Sequence, residues 1–67
     1  MKIQIKATQE ALATFKQSMK VWVKECLVSP TWIKDIWVIE FKTLVDLELA
    51  LVLIHEDKAI TLWDVIR

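Results

Sequence analysis

Neither glycine nor asparagine occurs anywhere in this 67-residue chain. These two residues most readily take positive φ, and the two-residue turns that close tight β-hairpins depend on positive φ. Connections are therefore expected to run to three residues or more, on type I geometry built with Asp, Lys or Ser. Covalent or metal staples are also out of reach: there is one cysteine, Cys26, and one histidine, His55. A domain this small buries only about 60 % of the surface its unfolded chain exposes. A single domain over 1–67 must then rest on a dense core or on association.

Composition favours association. The chain is 55 % hydrophobic and holds four tryptophans, more apolar surface than so short a chain readily hides, so part of it is expected to face a partner. Nine basic and nine acidic residues cancel to a net charge of +0. Nucleic-acid binders usually carry an excess of Lys and Arg, so nucleic acid is not the expected partner. Near-zero net charge gives little protection against self-association. The lone cysteine and an N-terminus without a long apolar run, MKIQIK, lead to the expectation of a cytoplasmic protein. The composition also suits an engineered or evolved protein without a biological partner. Phosphate loops that depend on glycine are excluded.

Periodicity gives the fold class. Residues 2–7, KIQIKA, alternate as a half-buried strand. Thr8 then caps an amphipathic helix expected over about 8–28, with Leu12, Phe15, Met19, Trp22 and Cys26 within an arc of about 80° and Lys16, Lys20 and Lys24 on its flank. Ser29-Pro30 ends it or starts a second helix that would put Trp32, Ile33, Ile36 and Trp37 on one face. Across Trp37–Leu53 the period-2 template fits: Glu40, Lys42, Asp46 and Glu48 share one face, while on the other every position but Thr43 is apolar. Seventeen residues are too many for one strand, so a hairpin with a three-residue loop at Thr43-Leu44-Val45 is expected. One long bent strand, or a helix over Leu44–Glu56 capped by Thr43 and Asp46, is the alternative. His55-Glu56-Asp57-Lys58 reads as a polar turn and Ala59–Arg67 as a last strand, or as a short helix capped by Thr61 with Asp64 three residues on. The fold is expected to be α+β, in the order β-α-β-β-β, with one helix on one face of a small, mostly antiparallel sheet. A mostly α chain, with helices at about 8–28, 31–42, 44–56 and 61–66, is the alternative. The uncharged run Leu49–Ile54 is far too short to cross a membrane.

Function has to come from surfaces. The even face of the last two strands brings Val52 and Ile54 beside Ile60 and Leu62. With Val38 and an exposed Trp32, these form the expected interface of a small non-enzymatic interaction module, a homodimer or larger, with no cofactor. Trp22, Trp37 and Trp63 are assigned to the core by phase. Lys16, Lys20 and Lys24, with Lys2 and Lys6, offer a basic surface, and a small regulatory nucleic-acid-binding factor is the second reading. Glu40-Phe41-Lys42 places an acid and a lysine two apart on a strand, as metal-dependent nucleases do, but the required upstream aspartate is missing: Asp35 lies on the same segment. Asp46 and Glu48 read as charges that keep a strand from aggregating, His55 as a solvated turn residue, and Cys26 as an inert thiol on the helix stripe. No catalytic or metal-ligating set emerges.

Overall fold

The computed structural model describes residues 1–23 and 25–66. In chain order its elements are β1 (Lys2–Lys6), α1 (Gln9–Trp22), β2 (Cys26–Pro30), β3 (Ile36–Phe41), α2 (Leu44–Glu56) and β4 (Thr61–Ile66). The four strands form one sheet in the order β2-β3-β1-β4, and every neighbouring pair is antiparallel. It follows that β1 runs parallel to β2, and β3 to β4, each pair separated by one strand of the other. Two β-α-β units therefore interleave, the split β-α-β connectivity also called ferredoxin-like. Such a connectivity hosts many unrelated functions and by itself assigns none.

The α+β class, with helix packed on one face of a small antiparallel sheet, is as the pattern predicts. The element order is corrected to β-α-β-β-α-β, because Leu44–Glu56 is a helix and Cys26–Pro30 is a strand. The hairpin at Thr43–Val45 does not form; instead the Thr43 hydroxyl accepts the Asp46 N–H at 3.2 Å and caps α2. Leucine favours helix over strand, and seven of the eight residues from 47 to 54 are apolar, four at odd and three at even positions. The alternation that suggests a strand is thus a by-product of apolar density. Of the alternative helices, the one at 44–56 is present, whereas 31–42 is loop and strand and 61–66 is strand.

The first helix is also shorter than its periodicity suggests. Leu12, Phe15 and Met19 are buried as expected, but α1 ends at Trp22. Val23 is extended, and its N–H donates to the Met19 carbonyl at 2.7 Å. Cys26–Pro30 then pairs with β3. Helix through Val28 would satisfy its own backbone but leave that side of β3 without a ladder partner. Pro30, unable to donate, sits acceptably in an edge strand. Trp22 and Trp63 are exposed rather than in the core. Only Trp37 of the three is half-buried, its indole N–H donating to the Ala7 carbonyl at 2.9 Å.

Both helices lie on the same side of the sheet. The core joins Ile3 and Ile5 of β1 and Ile39 and Phe41 of β3 to Phe15 and Met19 of α1 and to Leu47, Ala50 and Ile54 of α2. Fully burying one such Leu, Ile, Met or Phe side chain contributes about 1.5–3 kcal/mol. The hairpin of β2 and β3 has the five-residue loop Thr31–Asp35, in keeping with the expected ban on tight turns. The loop still needs one left-handed residue, and Asp35 supplies it at φ 65. Asp is among the few residues other than glycine that tolerate that region.

Candidate interaction surfaces

Helices on one side leave the other side of the sheet open. The register sets its residues in rows. One row runs Ile66, Lys2, Glu40, Leu27 across β4, β1, β3 and β2; the next runs Asp64, Gln4, Val38, Ser29. In the first row Lys2 and Glu40 form a half-exposed ion pair at 3.7 Å, with apolar side chains at both ends. Leu27 is 62 % exposed and Ile66 40 %. In the second row Val38 is half-buried between Gln4 and Ser29. The face is thus mixed: these two rows hold three apolar residues, two neutral polar ones, one cation and two carboxylates, and Lys6 follows them on β1. A bulge between Gln4 and Ile5 in the β1–β4 ladder leaves Trp63 as the extra residue of β4, exposed at the sheet edge.

A second apolar surface is the outer stripe of α2, where Val45 and Val52 are exposed beside Glu48 and Glu56. The helix is apolar nearly all round, so turning one stripe inward leaves another outside.

The six residues expected to form one interface are spread over the molecule. Ile54 and Ile60 are core residues, each 5 % exposed, and cannot meet a partner in the folded chain. Helical geometry in α2 turns Ile54 toward the sheet and Val52 away from it. Val38 is on the open sheet face, on the other side of the molecule from Val52. Leu62 is partly exposed on edge strand β4, and Trp32 stands 94 % exposed in the β2–β3 loop. Leu27 and Ile66, both missed by the sequence reading, are the residues that accompany Val38. The signal for Leu27 is weak, since the helix pattern runs on through Val28 and hides the strand Cys26–Pro30.

The charged candidates are explained by ordinary contacts. Glu40 pairs with Lys2, and Lys42 with Glu25 at 3.1 Å; Asp35 lies at the opposite end of β3 from Lys42. Asp46 is in the first turn of α2, where a carboxylate complements the helix dipole. His55 is in the last turn of the same helix. Among the described residues no group of three or more His, Cys, Asp or Glu could hold a metal ion. Lys16 and Lys20 are exposed on α1, while Lys24 lies outside the described residues. Cys26 is on strand β2 and exposed, not on the helix stripe. Burial of part of its surface raises the thiol's pKa, the Lys16 ammonium lowers it, and the Asp46 carboxylate raises it, with a net upward shift. Among the described residues no helix is long and apolar enough to cross a membrane.

Comparison with protein-family models, with curated proteins and with solved structures finds no match to this chain in any of the three.

Proposed function

We propose that this protein is a small non-enzymatic association module that pairs with a second copy of itself through the open face of its sheet. The observation that carries this reading is the row Ile66–Lys2–Glu40–Leu27: two exposed apolar side chains flank charges of both signs. A two-fold interface must be self-complementary. A face bearing lysine and glutamate side by side can set Lys2 of one copy against Glu40 of the other, which a face of one sign cannot.

Size limits the strength. Four strands about 4.8 Å apart, each about 17 Å long, present roughly 320 Å² in projection. Two copies then bury well under the roughly 1,200–2,000 Å² of stable complexes, so the pairing belongs to the weak, transient class. Size-exclusion chromatography with light scattering, carried from micromolar to millimolar protein, tests this with Val38→Lys and Val52→Lys alongside. The expected result is a concentration-dependent dimer that Val38→Lys disperses and Val52→Lys leaves intact. A wild-type monomer at every concentration refutes self-association. Dispersal by Val52→Lys alone moves the contact to the outer stripe of α2.

A further inference from the structure

A groove of ≈ 860 Å³ runs between the C-terminal half of α1 and edge strand β2. The register puts Cys26 and Val28 on the helix side of the sheet, level with Phe41 and Ile39. Phe41 and Ile39 are buried, yet Cys26 is exposed and Val28 only half-buried. The helix layer therefore covers β3 and stops short of β2. Cys26 and Val28 give the groove its accessible floor, with the buried Met19 and Val23 behind it, and Lys16 and Lys20 give it a cationic rim.

Three features converge on one kind of occupant. First, β2 ends the sheet, so its outward backbone edge has no strand partner. Second, the charge balance of the groove is positive. Glu25 is held by Lys42 and Glu40 by Lys2, whereas Lys16 and Lys20 have no carboxylate within ion-pair distance among the described residues. Third, the spacings match. Lys16 and Lys20 are one helical turn apart, about 6 Å along the axis, and side chains on one face of an extended chain recur at about 6.8 Å.

We propose that β2 accepts an extended acidic peptide as a fifth strand, with carboxylates at alternate positions against Lys16 and Lys20 and apolar side chains over Cys26 and Val28. Strand addition of this kind draws affinity from main-chain hydrogen bonds and selectivity from alternate side chains. A second copy is a poor occupant of the same edge, because pairing β2 with β2 turns two lysine rims toward each other and joins the two grooves without filling either. The proposal does not rest on self-association through the open face.

The test is fluorescence anisotropy with a short fluorescein-labelled peptide in which threonine alternates with Glu, Glu, Val and Val. One control carries Lys in place of Glu, and a second is N-methylated at alternate amides. Saturable binding of the acidic peptide is expected, at least about tenfold weaker for the lysine control and for the double variant Lys16→Glu/Lys20→Glu. Both lysines are exposed, so the variant should keep its circular dichroism spectrum. Val38→Lys should bind the peptide like wild type. The proposal is overturned if no saturable binding occurs, or if acidic and basic peptides bind alike. Undiminished binding of the N-methylated peptide also overturns it, since the groove would then be taking carboxylates without adding a strand.

Discussion

Asp35 is where the absence of glycine bears most directly on stability. Its φ of 65 is the only positive value among the described non-glycine residues. Holding an L-residue in the left-handed region costs about 1–2 kcal/mol, somewhat less for Asp. Asp35→Gly removes that cost and adds about 0.4–1 kcal/mol of unfolded-state entropy to be lost on folding. The Asp35 backbone carbonyl, which accepts the Ala7 N–H at 2.9 Å, is kept in the variant. The net expectation is a gain of about 0.5–1 kcal/mol. For a domain of this size 1 kcal/mol moves Tm by about 4–8 °C, so a rise of about 2–8 °C is expected in thermal unfolding followed by far-UV circular dichroism. Asp35→Asn tests the charge separately and should stay near wild type. Lys34→Gly, one residue earlier with ordinary φ, should lower Tm. If Asp35→Gly melts at or below wild type while Lys34→Gly is neutral, the left-handed residue is not a source of strain and the reasoning fails.

The remaining predictions concern caps, core and thiol. Thr43→Ala and Thr8→Ala each remove a hydroxyl that accepts a first-turn N–H at 3.2 Å, and each should cost about 1 kcal/mol in urea unfolding; Thr43→Val should cost as much as Thr43→Ala if the hydroxyl is what matters. Phe15→Ala, at a position 1 % exposed, should cost about 3–5 kcal/mol. That is comparable with the whole stability of many small domains, so loss of the folded circular dichroism spectrum is the expected outcome. For Cys26 the folded pKa lies above the unfolded one. Its contribution is therefore complete below the unfolded thiol's pKa, about 8.5, and is lost as pH rises through the folded value. Iodoacetamide alkylation should show a higher pH midpoint in native protein than in denaturant, and Lys16→Ala should raise the native midpoint further.

Where a segment had a single dominant period, the sequence was readable. The strand at 2–6 and the helix from Thr8 through Met19 show one period each, with a cap at the start of the helix. The loop rule was readable as well, since it follows from which residues are absent. Between 44 and 56 the apolar residues are too dense for period to discriminate, and the better signal was local: Thr43 with Asp46 three residues on, ahead of a leucine-rich run. The end of α1 could not be read from local pattern, because Val21–Val28 can continue the helix or extend. The free edge of β3 selects extension, a contact that is remote in sequence.

The surfaces divide in the same way. Sequence alone determined that the chain carries more apolar surface than one small core absorbs, that its charges balance, and that tight turns are excluded, because these follow from composition. Tertiary structure alone decided which apolar residues are left outside. Turning α2 into a helix rotates Ile54 inward and Val52 outward, one residue pair apart in sequence. Pairing β2 with β3 brings Leu27 out beside Glu40 and opens the groove at Cys26. A change from period 2 to period 3.6 reassigns every side chain to a new face, and that choice was made by packing between segments distant in the chain.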